Sequence, residues 1–281
     1  KMAAPFAHDI QFQQLLAGQS EIELVDLLLE FAADAYPQLD PAASRRELGR
    51  LRGQARTAVE ALSERAGLAE QLAAVSHMLY AKEGFRGNQD DYYDPRNSYL
   101  NEVLERRRGI PISLGILYMS VAAGAGLKVY GVGTPGHFML GAKEGGDTLY
   151  VDPFERGELL TLDGCRQHVQ RRTGRSEELE DEQFRPARHL EIAARVLRNL
   201  KAAYAMREQW DDVLPVQQRL ALLLPDMSDE KRDLGLVYLR TGHPSEALDL
   251  FDSYLKVCQA DSAETLAPYL RSARRMLAEL N

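Results

Sequence analysis

The sequence predicts an α+β fold, and three observations predict it. Residues 7–84 carry helical periodicity. A helix apolar on nearly every side then precedes three short strand-like runs between residues 110 and 152. From residue 187 onward the pattern is helical again and repeats at a spacing of 34 residues.

Within the helical N-terminal part, Ser20-Glu21-Ile22-Glu23 has the form of a capping box, followed by an apolar face of Leu24, Leu27, Leu28 and Phe31. Tyr36-Pro37 ends that helix, because the residue before proline avoids the helical region. A charged helix is expected over Ala43–Ala66 and a third over Leu68–Lys82, with His77 beside its apolar face. Residues 84–97, GFRGNQDDYYDPRN, read as a loop dense in polar and aromatic groups. Its aspartates lack calcium-loop spacing, so neither a metal nor any other cofactor is expected. Ser98 is placed to cap a short helix over Tyr99–Arg107.

Gly109-Ile110-Pro111 marks the start of the central helix, since proline at a first helical position needs no N–H and has its φ pre-set. Residues 112–125 have no polar face, so this helix should be buried, and Gly126 fits its stop. Lys128–Gly133, His137–Ala142 and Thr148–Asp152 read as a small antiparallel sheet, with Lys143-Glu144-Gly145-Gly146 as the turn between the last two. Pairing Ala142 with Asp147 across that turn puts His137 opposite Asp152, with Cβ atoms about 5 Å apart on one face. A carboxylate there can orient an imidazole and stabilise its protonated form, or simply close the hairpin.

After Phe154 the pattern is irregular, then acidic over residues 177–182, which reads as a linker. The domain boundary is expected there, giving domains 1–184 and 185–281. In the second, Leu200 matches Leu234 and Tyr204 matches Tyr238, while Leu234-Gly235, Tyr238, Ala247 and Phe251 fall where a tetratricopeptide repeat places its packing residues.

The 281 residues carry 45% hydrophobic and 27% charged residues and a net charge of -8. Such an acidic chain does not read as a nucleic-acid partner, and no apolar run is long enough to span a bilayer. The start, KMAAPFAHDIQFQQLL, lacks a basic-then-apolar signal pattern. Cys165 and Cys258 lack CxxC or metal-ligand spacing. A cytoplasmic location is therefore expected.

The central stretch resembles the transglutaminase-like superfamily, whose core is papain-like. His137 in GHFML and Asp152 in YVDPF match the second and third members of that family's Cys-His-Asp set. NSYLNEVLERRRGIPISLGILY, GVGTPGHFML and VDPF, followed by the repeats, resemble the SirB-type family of bacterial proteins. The resemblance implies a papain/transglutaminase-like core, then a repeat array, and a regulatory role. The departure is the first member. No cysteine stands at the central helix start; an ungapped count puts the slot on Pro111, and a shift of two puts it on Ser113. Ser113 also suits plain first-turn backbone bonding.

Two readings stay open. One is a non-catalytic regulatory protein that binds a protein or peptide partner through its cleft and repeats, with Tyr92, Tyr93, Arg96, Asn97 and Gly136 at the cleft. The other is a hydrolase or acyltransferase with Ser113 as nucleophile, His137 as base and Asp152 as orienter.

Overall fold

The computed structural model describes residues 6–19, 21–174 and 179–280, in two compact units, Lys1–Val196 and Leu197–Asn281. Ser20 and the Glu177-Glu178 part of the acidic run lie outside the described residues.

The first unit opens with α1 (Ile10–Leu16), α2 (Leu24–Ala35), α3 (Pro41–Glu60) and α4 (Leu68–Ser76). Helix α2 begins at Leu24 rather than near Ser20, because the chain before it is tied to α1: Glu23 N–H donates to Gln11 Oε1 at 2.8 Å. In return the Glu30 carboxylate accepts the Gln11 and Phe12 N–H groups, two of the first-turn donors that α1 cannot satisfy itself. Asp40 caps α3 through Ala42 N–H at 3.0 Å, with Pro41 behind it. Helix α4 continues as a π-helical stretch, His77–Lys82.

A short parallel pair, β1 (Arg86–Gly87) with β2 (Arg108–Gly109), brackets the loop and α5 (Leu100–Arg106). The N-cap of α5 is Tyr99, not Ser98. Asp94 first caps a 3-10 turn, Pro95–Asn97, and that turn takes up Ser98 as its end.

Helix α6 (Pro111–Gly124) has Pro111 in its first turn, and Gly126 takes φ 80 just past its end. It is buried over most of its length, as its lack of a polar face requires, and only Ala123 near its end is exposed. The sheet packed on it has the order β3 (Val129–Val132), β4 (Met139–Glu144), β5 (Asp147–Asp152), β6 (Glu158–Leu160), all antiparallel. Gly115 lets that contact close, since a Cβ there would lie 2.8 Å from the Phe138 ring.

The β4–β5 register pairs Glu144 with Asp147 and Leu140 with Val151. It is therefore shifted by two residues from the expected one. Only Gly145 and Gly146 form the turn, with Gly145 at φ 62, so Lys143 and Glu144 stay in the strand. A shift of two keeps every side chain on its expected face. His137 then sits just before β4, on the diagonal from Asp152.

The segment after Phe154 is more regular than its sequence suggests. It forms β6 and then α7 (Leu162–Thr173), capped by Thr161 and ended by Gly174 at φ 66. Helix α8 (His189–Ala205) leads from this unit into the next.

In the second unit α9 (Trp210–Leu223), α10 (Ser228–Arg240), α11 (Pro244–Leu255) and α12 (Ala260–Leu280) follow one another through short connections. Ala247, Phe251 and Tyr254 are buried in their core with Leu239, Leu266 and Ala273. Gly235 is there because a Cβ would come within 2.6 Å of the Phe251 ring.

Candidate functional site

The site is built where β5 ends. Asp152 is fully buried. Its Oδ1 accepts the Phe154 N–H at 2.8 Å and the Glu155 N–H at 3.2 Å, which fixes the carboxylate plane. Its Oδ2 lies 2.8 Å from His137 Nε2 and 2.7 Å from His168 Nε2. The His137 contact has hydrogen-bond alignment. The His168 contact does not, and His168 Nε2 has no hydrogen-bond partner. Burial alone would raise the Asp152 carboxyl; the two imidazoles and the Phe154 N–H outweigh it and hold the group well below the usual carboxylate range.

His137 is placed by a clamped turn. Gly136 adopts φ 68, which an L side chain rarely takes. Thr134 Oγ1 donates to His137 O at 2.9 Å. Arg195 donates to Thr134 O at 3.0 Å and to His137 O at 2.7 Å, fixing both ends of the turn with one guanidinium.

Ser113 is also fully buried, in the first turn of α6. Its hydroxyl lies 2.5 Å from Asn97 O, with Ile110 O as a second acceptor at 3.1 Å, and it accepts the Ile110 N–H at 3.1 Å. These backbone groups, not His137, are its hydrogen-bond partners. Pro111, the ungapped alternative, fills the helix start beside it.

The loop residues divide by burial. Asn97 is fully buried: Nδ2 donates to Asp91 O and Tyr92 O, and Oδ1 accepts from Asn88 Nδ2. Tyr92 is half-buried, its ring edge-on to Phe154 at 6.0 Å. Tyr93, Arg96 and Gly136 are exposed. Asp94 is paired with Arg96 and Arg106, at 2.8 and 3.2 Å. Beside the Asp152–Phe154 turn lies a polar recess of about 190 Å³, lined among others by Arg86, Asp90, Arg108, Phe154 and Arg156.

His168 is the residue that sequence reasoning missed. It lies on α7, in the segment read as irregular. The signal was present: Cys165, His168 and Val169 make a buried face at helical spacing between a Thr cap and a Gly stop. The Cys165 thiol is not a substitute nucleophile. It packs among Val132, Met139 and Tyr150, and burial, with the charge of Asp152, pushes it up to about 12. The tyrosine hydroxyls nearby are also pushed up: Tyr80 by burial, then by Tyr118 and Asp152, and Tyr118 by burial.

A helix apolar on all sides, laid on an antiparallel sheet that ends in an imidazole–carboxylate pair and followed by helical repeats, defines a transglutaminase-like domain joined to a tetratricopeptide array. The family model of the transglutaminase-like superfamily matches residues 42–198, and that of a tetratricopeptide repeat matches residues 200–278. The chain belongs to the transglutaminase-like superfamily. It is similar to a UPF0162 protein of Xylella fastidiosa (strain Temecula1), 37% identical over 240 residues that cover 84% of each chain. It is also similar to a UPF0162 protein of Vibrio cholerae, 27% identical over 87% of this chain and 90% of the relative. A shorter segment, 110 residues or 35% of this chain, is 38% identical to 18% of F-box only protein 21 of Homo sapiens. No solved structure matches the chain. Among the described residues no helix is long and apolar enough to cross a membrane.

Proposed function

We propose that the chain acts by binding a protein or peptide partner in the cytoplasm, as a SirB-type regulator, and that its transglutaminase-like domain has no acyl-transfer activity. Tetratricopeptide repeats suit protein–protein interaction, which the match over residues 200–278 supports. The observation that carries the non-catalytic part is the Ser113 hydroxyl. It is buried, and its bonds go to Asn97 O and to the Ile110 backbone, which stabilise the loop and the helix start. A serine nucleophile needs a base to take its proton. Proline at the other position offers no nucleophile at all. The recess beside Phe154 carries Arg86, Arg108 and Arg156 together with Asp90 and Glu155, a mixed-charge lining that suits a polar segment of the partner.

One observation favours the alternative, a Ser-dependent hydrolase or acyltransferase: the aligned 2.8 Å bond from His137 to Asp152. A fluorophosphonate probe separates the two readings. The recognition reading expects no labelling of Ser113, and in Ser113→Cys a thiol that alkylates no faster than Cys258. Labelling that disappears in His137→Ala would establish the hydrolase instead.

A further inference from the structure

The buried carboxylate has one imidazole more than a Cys-His-Asp set requires. His137 Nε2, Asp152 Oδ2 and His168 Nε2 all lie within 4.8 Å of one another, in residues that are 2%, 0% and 8% exposed. Buried polar atoms are almost always paired. Here two are not. His168 Nε2 approaches Asp152 without hydrogen-bond alignment, and the buried Tyr80 hydroxyl, which feels the charge of the same carboxylate, has no partner.

We infer that His137, Asp152 and His168 form a binding site for one divalent transition-metal ion of the zinc type. The donor chemistry selects the class. Two imidazole nitrogens and one carboxylate oxygen suit zinc, iron, nickel or copper, whereas calcium and magnesium want more oxygens than this site offers. Three protein ligands leave a position for water.

The supporting shell is in place. The Phe154 and Glu155 N–H groups hold Oδ1 and leave Oδ2 to ligate. Glu158 Oε2 lies 3.9 Å from His168 Nδ1, near enough to approach the Nδ1–H once Nε2 ligates. The Arg195 and Thr134 contacts fix the His137 backbone. Donors about 2.1 Å from a tetrahedral metal stand about 3.4 Å apart, so the separations of 2.8 and 2.7 Å must open by about 0.6–0.7 Å on loading. The third ligand is His168 of α7 rather than an aspartate of the 84–97 loop, whose spacing does not suit a metal.

The inference is independent of the recognition reading, since metal content is measured without any partner. Tag-free full chain is stripped with a chelator, then given Zn²⁺ both in the folded state and during refolding, because the three groups are buried. The expected result is about one Zn²⁺ per chain. His168→Ala should weaken the affinity by more than the roughly 100-fold that loss of an outer-shell partner alone costs. Cys165→Ser and Cys258→Ser should keep it. Should His168→Ala fail to fold, Co²⁺ bound to the wild-type chain decides the matter. Intense visible absorption of a low-coordinate nitrogen and oxygen site supports the inference, and its absence overturns it. Failure to retain zinc under either loading condition, or uptake unchanged in a folded His168→Ala, also overturns it, leaving a hydrogen-bonded cluster around water.

Discussion

Asp152 in the first unit and Glu230 in the second are both buried carboxylates, and they are neutralised differently. Asp152 in the first is held between two imidazoles and two backbone N–H groups. Glu230 in the second is held by Arg198 at 2.9 Å, Lys201 at 3.6 Å and Gln217 Nε2 at 3.0 Å. In both, burial works to raise the group and its partners win, so both sit below the usual carboxylate range. A carboxylate facing guanidinium and ammonium is a fixed ion pair. One facing imidazoles can exchange a proton or a metal, because imidazole is both a proton carrier and a ligand. The difference separates a site built for structure from one with chemistry available to it.

The comparison breaks most sharply at Asp152. Asp152→Ala removes the acceptor of the His137 imidazole and of two N–H groups, and the charge beside His168, and should cost about 3–5 kcal/mol, measured by urea unfolding. Glu230→Ala should cost less, about 2 kcal/mol, because the Arg198 side chain is 48% exposed and rehydrates. Equal costs would show that the two carboxylates are interchangeable supports. Ser113→Ala should lose about 1 kcal/mol, the net worth of a neutral hydrogen bond, in the same measurement. A larger loss would make the Asn97–Ser113 contact a main support of the central helix.

The smallest effect is in acid. Both groups have folded pKa values below their unfolded ones. The stability they contribute is present above the unfolded values, about 3.9 for Asp and 4.3 for Glu, and is lost as pH falls through the folded values. Wild type should therefore lose stability as pH falls below about 4. Folded Asp152→Asn should lose less over that interval, and an identical loss would remove Asp152 from the acid response.

Much of this was legible because it rests on local patterns. The buried helix follows from the absence of a polar face, and its start from Pro111. The repeats follow from the matched Leu, Gly, Tyr, Ala and Phe positions, and Gly235 beneath Phe251 gives the steric reason for one of them. The hairpin was legible except for its register. The turn tetrad admits a two- or a four-residue loop, and only the backbone at Gly145 decides between them. Because the error was even, the His137–Asp152 proximity survived it. His168 was not legible from the strands at all. It reaches Asp152 from a helix whose exposed face is Arg- and Gln-rich, and only the register of its buried face announces it. Ser113 shows a different limit, since the residue type suits both attack and capping, and the acceptor at Asn97 O is a tertiary fact.

The knot at Asn97 has a consequence for kinetics. One buried amide ties Asn88, Asp91 and Tyr92 together, and the carbonyl of the same residue receives the Ser113 hydroxyl. The loop carrying Tyr92 and Tyr93 is thus ordered before any partner arrives. A partner docking on those rings, as the proposed recognition role requires, would lose little to loop ordering, leaving more of the contact energy as affinity. It would meet a surface already shaped, so its association would be limited by encounter and orientation rather than by a folding step.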